Sequence, residues 1–129
     1  MTHVFRAMKA EGILPILGSS RRTLGAKTGQ PPDGDIPVGA TGRVDPRTGG
    51  MSVAPDDPVN LPRHRRPPSL GGEGRDPVFR YAVQRIPATL TLRREQHDHA
   101  VVEPCDVSFF SEYQETIHGT RNDWEVHHV

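Results

Sequence analysis

The segment Gly49-Gly50-Met51-Ser52-Val53 places a hydroxyl group shortly after two glycines, near the middle of the chain. Paired glycines allow positive φ angles and let the backbone approach a ligand closely. In an extended strand Ser52 points away from Met51 and Val53, since successive side chains alternate between the two faces. The pattern predicts a glycine turn that leads into a short strand. Ser52 is then either a functional hydroxyl or one residue of an ordinary edge strand.

Two charged residues interrupt apolar segments that are typical of strands. Arg6 lies within the predicted first strand, residues 3–8, and Glu103 lies near the end of a later predicted strand, residues 99–104. A buried guanidinium needs a partner or an anionic ligand, because its desolvation is costly. A carboxylate at the end of an apolar strand is either a catalytic group or a residue in contact with water. Both residues are candidates for chemistry, with a solvent-exposed position as the plain alternative.

A basic cluster, Arg63-His64-Arg65-Arg66, lies in a proline-rich loop between residues 55 and 77. Arginine offers a fork of donors that matches phosphate, so this basic loop can hold a phosphate group. The alternative is a solvated loop with polyproline character. The chain has two long loops: the first covers residues 11–43, and the second, residues 55–77, contains this basic cluster. Loops of this length in a small domain are often binding loops.

The composition favours short strands joined by long irregular connections. Only 33% of the 129 residues are hydrophobic, and the chain has 13 glycines and 13 prolines. These values are typical of a loop-rich domain and disfavour a helical bundle. We therefore expect a single domain over residues 1–129, of the α+β class, with few helices. Further strands are predicted at residues 78–83 and 89–93.

The C-terminal part of the chain predicts one helix. Ser108 or Ser111 is expected to cap this helix, and the apolar spacing extends it to about Asn122, with Phe109 on the buried face. Trp124 is expected to close the helix against the core.

Charge, hydropathy and cysteine content exclude several classes of protein. The formal net charge is zero, which argues against broad binding to nucleic acid or to a membrane surface. No apolar stretch reaches the roughly 18 residues of a transmembrane helix. The first residues lack the pattern of a secretory signal, so we expect a cytoplasmic protein, or one delivered by a specialised secretion machine. The chain has a single cysteine, Cys105, so it cannot form an internal disulfide, and we expect this cysteine in the core. The spacing of the histidines predicts no metal site.

Charge is unevenly distributed along the chain. Residues 95–129 contain one basic and eight acidic residues, whereas residues 61–80 contain five basic and two acidic residues. A binding protein of matching charge is a natural partner for either region.

The order Arg6, Ser52, Glu103 resembles the catalytic triad of ADP-ribosyltransferase folds. In those folds the arginine holds a phosphate of NAD, the serine supports the ribose pocket, and the glutamate stabilises the oxocarbenium ion or activates the acceptor. The physical demands agree, because phosphate needs a fork of donors and a developing positive charge needs a carboxylate. The resemblance implies a split, mostly antiparallel sheet around an NAD cleft.

Two segments resemble a family of small effector toxins of the bacterial type VI secretion system. Residues 4–7 (Val-Phe-Arg-Ala) are similar to that family's opening Leu-Tyr-Arg-Ala. Residues 45–53 (Asp-Pro-Arg-Thr-Gly-Gly-Met-Ser-Val) are similar to its Asp-Thr-Gly-Gly-Thr-Ser-Val, with Met51 in place of a threonine. Residues 99–104 and the helix after them are similar to its last strand and helix. The family has an ADP-ribosyltransferase-like fold and a cognate immunity protein, which implies the same for this chain.

The resemblance implies a specific set of site residues and partners. The catalytic residues would be Arg6, Ser52 and Glu103. The residues that bind NAD, as substrate, would be Arg6, Gly49, Gly50, Met51, Ser52 and Tyr81, with Tyr81 stacking on nicotinamide and His64 as a further pocket residue. Transfer of ADP-ribose and hydrolysis of NAD stay open, and an antitoxin would neutralise the activity. The alternative is a non-enzymatic binding module whose basic loop holds an acidic protein partner.

Overall fold

The computed structural model describes residues 1–128, in which ten β-strands and one α-helix occur. The strands are β1 (His3–Ala7), β2 (Ala10–Glu11), β3 (Leu14–Pro15), β4 (Arg43–Val44), β5 (Met51–Pro55), β6 (Val78–Ala82), β7 (Leu90–Gln96), β8 (His99–Pro104), β9 (Ser108–Phe109) and β10 (Glu125–His128). The helix α1 spans Phe110–His118. The expected α+β class with few helices is confirmed. Val129, the last residue of the predicted domain, lies outside the described residues.

Six of the strands form one sheet in the order β10-β6-β1-β5-β8-β7. All neighbouring strands in it are antiparallel. The predicted strands that begin near residues 3, 51, 78, 89 and 99 therefore all exist and all belong to this sheet. Nearly every residue of β1, β5 and β8 is buried or partly buried, which fits a sheet that is covered on both faces.

The sheet has a narrow junction between β1 and β5. These strands share two register pairs, Val4 with Pro55 and Phe5 with Ala54, whereas β1 and β6 share five. Beyond Phe5 the ladder between β1 and β5 stops, and the carbonyl oxygen of Ser52 accepts a hydrogen bond from the side chain of Arg6 instead. The sheet thus consists of two three-stranded halves that meet at β1 and β5.

The two faces of the sheet bury separate apolar clusters. Val4 belongs to the larger cluster, together with Tyr113 and Ile117 of α1, while Phe5 and Ala7 belong to a smaller one on the opposite face. Successive side chains of β1 therefore face opposite sides of the sheet. The face that carries the smaller cluster is covered in part by Leu61 of the second long loop, and it borders the cleft described below.

The helix is shorter than the sequence predicts. It ends at His118 instead of continuing to Asn122, and Phe109 precedes it without a side-chain cap. The predicted serine caps are wrong because Ser108 and Phe109 pair with β4 as a short strand. Phe109 is exposed beneath the guanidinium of Arg43, at 4.8 Å from the ring centre, instead of facing the core.

The sequence does not predict the last described strand, β10. Its burial pattern is largely exposed, so the apolar alternation that identifies a strand is missing, and backbone pairing with β6 alone defines it. Trp124, just before β10, is buried as predicted and packs 4.9 Å from the ring of Tyr81. Cys105 is exposed, which corrects the core position expected for it. Among residues 1–128, no helix combines the length and the hydropathy that crossing a bilayer requires.

Asp76 connects the two long loops through ion pairs. Its carboxylate accepts hydrogen bonds from Arg22, at 2.8 and 2.7 Å, and lies 3.5 Å from the guanidinium of Arg65. Arg22 belongs to the first loop, and Asp76 and Arg65 belong to the second. The hydrogen bonds from Arg22 hold the pKa of Asp76 below its usual value.

In the Asp76→Asn variant, the free energy of unfolding is expected to fall less between neutral and acidic pH than in the wild type. Because the folded carboxyl has a lowered pKa, its contribution is complete above the unfolded value of 3.8 and disappears as the pH falls through the lower folded value. Urea unfolding from neutral pH to pH values below 3.8 measures this effect. Asp106→Asn, at an exposed position outside both loops, is the matched control. An unchanged acid limb in Asp76→Asn contradicts the prediction.

Candidate functional site

A cleft of about 850 Å³ lies on the face of the sheet that carries the side chain of Ser52. Its floor and walls come from β5 and β8, from the first and second long loops, and from the β7–β8 hairpin. These parts contribute Ser52, Ala54, Val101, residues 31, 32, 34 and 35, residues 59–66 and residues 95–99. The cleft is large enough for a ligand of small-molecule size.

Arg6 lies at the junction of the two half-sheets and is buried, with 4% of its surface exposed. Its Nε and Nη2 donate to the carbonyl oxygen of Thr23 at 3.1 and 2.9 Å, and its Nη1 donates to that of Ser52 at 2.7 Å. Nη2 also donates to the carbonyl oxygens of Ser20 and Gly25, at 3.1 and 3.2 Å. The side chain therefore fastens the first long loop to β5.

These contacts limit what Arg6 can offer to a ligand. A guanidinium has five N–H donors, and backbone carbonyls take up four of them, which leaves one Nη1 hydrogen. Burial lowers the pKa of Arg6 to about 10, with Asp35 opposing the shift. The solvent-exposed alternative for Arg6 is thus wrong, and most of the fork expected to hold phosphate is occupied by the protein itself.

Gly49 and Gly50 line the cleft and are required by close packing of protein backbone. Gly49 has a φ of 147°, and a Cβ atom on it would overlap the carbonyl oxygen of Asp35. The N–H of Gly50 donates to that same oxygen at 2.8 Å. The close backbone approach predicted from the glycine pair is therefore made by the first long loop.

Ser52 forms one end of a hydrogen-bonded chain in the cleft. Its Oγ lies 3.2 Å from Nε2 of His99, and Nδ1 of His99 lies 2.9 Å from Oε1 of Glu95. All three side chains line the cleft, and they are partly accessible, with 37% of His99 and 34% of Glu95 exposed. This Glu95–His99–Ser52 chain joins a hydroxyl, an imidazole and a carboxylate in the order used for proton transfer from a serine.

The β7–β8 hairpin brings the three groups together. Ser52 is directly opposite Val101 in the register between β5 and β8, so His99 lies two residues further along on the same face. Between Arg94 and Gln96 the register of β7 shifts against β8, and Glu95 is the unpaired residue at this irregularity. Glu95 lies two residues after Arg93, which is opposite Val101, so strand alternation places Glu95 on the same face as His99 and Ser52.

Glu103 is buried outside the cleft lining, with 4% of its surface exposed. Its Oε2 accepts a hydrogen bond from the backbone N–H of Arg47 at 2.9 Å and from Nε of Arg93 at 3.0 Å. Nη1 of Arg93 in turn donates to Glu95 at 3.2 Å. Glu103 thus holds Arg93, and Arg93 in turn contacts Glu95 of the Glu95–His99–Ser52 chain.

The two long loops give the cleft a basic wall, which consists of Arg21, Arg63, Arg65 and Arg66. Five arginines line the cleft against three carboxylates, so the cleft carries a net positive charge. Burial lowers the pKa of Arg65, which lies in the basic loop, because its guanidinium is partly desolvated. Arg63 and Arg21 are more exposed, with 73% and 43% of their side chains accessible. A positive wall that is partly desolvated at Arg65 favours an anionic ligand.

Two residues predicted to bind NAD lie in the core instead. Tyr81 has 3% of its surface exposed, and its hydroxyl donates to the carbonyl oxygen of Arg85 at 2.7 Å. Met51 has 1% exposed and belongs to the larger apolar cluster. Strand alternation places both side chains away from the cleft, so neither can stack on a ligand there. His64 does line the cleft, as predicted.

No protein-family model and no curated protein matches this chain. Among residues 1–128, the His, Cys, Asp and Glu side chains form no group of three or more placed to hold a metal ion.

Sequence patterns do not identify His99 and Glu95 as site residues. The histidine spacing bears only on a metal site, which it disfavours, and Glu95 carries no motif of its own. The available signal is the spacing Glu95-x-x-x-His99 across a predicted hairpin, but the proximity of these residues to Ser52 depends on the register between β5 and β8. Sequence patterns do not fix that register.

Proposed function

We propose that this protein is a small bacterial toxin of the ADP-ribosyltransferase type that cleaves NAD at the bond between nicotinamide and ribose. ADP-ribose then passes to a cellular target or to water. The main support is the 2.7 Å hydrogen bond from Nη1 of Arg6 to the carbonyl oxygen of Ser52. This bond lies where the sheet separates into two halves, beside a basic cleft. Arrival by a type VI secretion system and neutralisation by an immunity protein complete the proposal.

The roles of the residues follow from their contacts. Arg6 positions β5 and the first loop, and its remaining donor is the one left for a ligand. Arg21, Arg63 and Arg65 on the basic wall bind the pyrophosphate, since guanidinium forks match phosphate oxygens. Ser52 shapes the ribose pocket.

The carboxylate of this mechanism is reassigned from Glu103 to Glu95. Glu103 is enclosed by Arg93 and the backbone of Arg47, whereas Glu95 lines the cleft and reaches Ser52 through His99. A carboxylate near the ribose stabilises the positive charge that develops as nicotinamide leaves. Glu103 then acts only by holding Arg93.

Purified wild-type protein is expected to release nicotinamide from NAD, and Glu95→Gln is expected to lower kcat by about 100-fold through loss of electrostatic stabilisation. Liquid chromatography of the nicotinamide product measures both rates. Ser52→Ala is expected to lower the rate as well. Induced expression in a bacterial host is expected to arrest growth with the wild type only, and cellular NAD followed in parallel separates hydrolysis from transfer.

Glu112→Gln replaces an exposed carboxylate on α1 by a carboxamide and is the matched control, so it is expected to release nicotinamide at the wild-type rate. Retention of full activity in Glu95→Gln overturns the reassigned carboxylate. Absence of both NAD cleavage and growth arrest in the wild type overturns the transferase proposal. The second candidate, a binding module whose basic loop holds an acidic protein, then predicts a partner that binds more weakly as salt is raised.

A further inference from the structure

The Glu95–His99–Ser52 chain has the connections of a catalytic triad for nucleophilic catalysis. Oγ of Ser52 is 3.2 Å from Nε2 of His99, and the other ring nitrogen is 2.9 Å from Glu95. We propose that Ser52 is an activated nucleophile that attacks carboxylic esters bound in the cleft. This activity does not rest on the proposed cleavage of NAD.

The carboxylate of Glu95 sets the tautomer of His99. Because Oε1 of Glu95 accepts a hydrogen bond, Nδ1 of His99 carries the hydrogen and Nε2 is left with a lone pair toward Ser52. A neutral imidazole in this orientation accepts the hydroxyl proton as the oxygen attacks. Arg93 donates to the other oxygen of Glu95 at 3.2 Å and so fixes the carboxylate in place.

The hydroxyl group of Ser52 is also accessible to a substrate. Ser52 and His99 both line the open cleft, so an ester can approach the hydroxyl from the solvent side. The basic wall opposite favours esters that carry a negatively charged group.

The proposed reaction has two balanced steps. Oγ of Ser52 forms a bond to the acyl carbon, the π pair of the carbonyl moves onto the carbonyl oxygen, and the hydroxyl proton moves to Nε2 of His99. The carbonyl then re-forms as the bond from that carbon to the alcohol oxygen breaks, and His99 returns the proton to the departing alcohol. Water hydrolyses the acyl-serine by the same route, so that one ester and one water give one carboxylic acid and one alcohol.

The first test is covalent labelling with a fluorophosphonate probe, which reacts with activated serines. The wild type is expected to gain one probe per chain, and peptide mass spectrometry is expected to locate the probe on Ser52. Ser52→Ala is expected to lose labelling, and His99→Gln is expected to slow it by about 100-fold, the range of general-base catalysis. Ser111→Ala, an exposed serine change on α1, is the matched control and is expected to label at the wild-type rate.

The role of Glu95 is tested by a pair of variants. Glu95→Asp keeps a carboxylate and is expected to recover most of the labelling rate that Glu95→Ala loses, whereas a merely structural role predicts equal effects. Turnover of 4-nitrophenyl acetate gives the corresponding kcat and KM, and the triad predicts that His99→Gln lowers kcat with little change in KM. The intrinsic fluorescence of Trp124 checks that each variant is folded.

Three results overturn the proposal: a folded wild type that does not react with the probe, a probe found on a residue other than Ser52, or an unchanged labelling rate in His99→Gln. Nicotinamide release measured on the same samples keeps the two proposals separate. Labelling without NAD cleavage rejects the transferase proposal alone, and NAD cleavage without labelling rejects the nucleophile alone.

Discussion

Arg6→Ala is expected to lower the free energy of unfolding by about 3–5 kcal/mol, the scale for removing one partner from a buried charged network. Four backbone carbonyls, those of Ser20, Thr23, Gly25 and Ser52, lose a charged donor at once. Each carbonyl left without a partner in a buried site adds its own desolvation cost. Urea unfolding followed by the fluorescence of Trp124 measures the change as a fall in the transition midpoint.

Arg94→Ala provides the control for this prediction. Arg94 lies on β7 with 38% of its side chain exposed and pairs with Asp56 at the surface, so its removal is expected to leave the midpoint nearly unchanged. Equal midpoints for Arg6→Ala and Arg94→Ala would contradict the structural role of Arg6. Arg6→Lys is expected to recover little stability, because a single ammonium cannot reach the carbonyls that surround the edges of the planar guanidinium.

The stability effect changes how activity data on Arg6 are interpreted. An Arg6→Ala protein that loses toxicity has lost the attachment of the first loop to β5, whether or not Arg6 also touches NAD. Ser52 and Glu95 are therefore the more informative positions for chemistry. Their side chains face the cleft, and neither is fully buried.

Gly49→Ala is expected to be the second most damaging change, with a loss of about 2–4 kcal/mol in unfolding free energy. Two effects combine: the φ of 147° is strained for any residue with a Cβ, and that Cβ overlaps the carbonyl oxygen of Asp35. The overlap displaces the first loop from the start of β5 and breaks the hydrogen bond from Gly50 to Asp35. The urea midpoint and the rate of nicotinamide release are both expected to fall.

Two other glycines separate the causes. Gly71 has a positive φ of 82° but open space around the position that a Cβ would take, with no atom within 4 Å, so Gly71→Ala measures strain alone. Gly39 lacks a positive φ, and the nearest contact of an added Cβ, at 3.6 Å, is ordinary, so Gly39→Ala is expected to be tolerated. A midpoint for Gly49→Ala no lower than that of Gly71→Ala would show that the contact with Asp35 is not restrictive.

The apolar pattern along the chain predicts the class of the fold and most of the strands of the sheet. Apolar alternation correctly identified the strands that carry Arg6, Ser52 and Glu103, because side-chain alternation with a period of two is a local property. It also correctly placed Trp124 in the core. It failed for β10 and for the start of α1, where pairing with a distant strand, and not local pattern, decides the structure.

The set of groups that meet in the site depends on tertiary contacts. The partners of Arg6 are carbonyls 14 to 46 residues away, and backbone carbonyls carry no signature in the sequence. His99 meets Ser52 because of one register between β5 and β8, and a slip of one residue would turn His99 to the other face. Local sequence fixes which face of a strand a side chain can occupy, whereas long-range pairing fixes its neighbours. For that reason the serine was predictable, and its histidine and carboxylate were not.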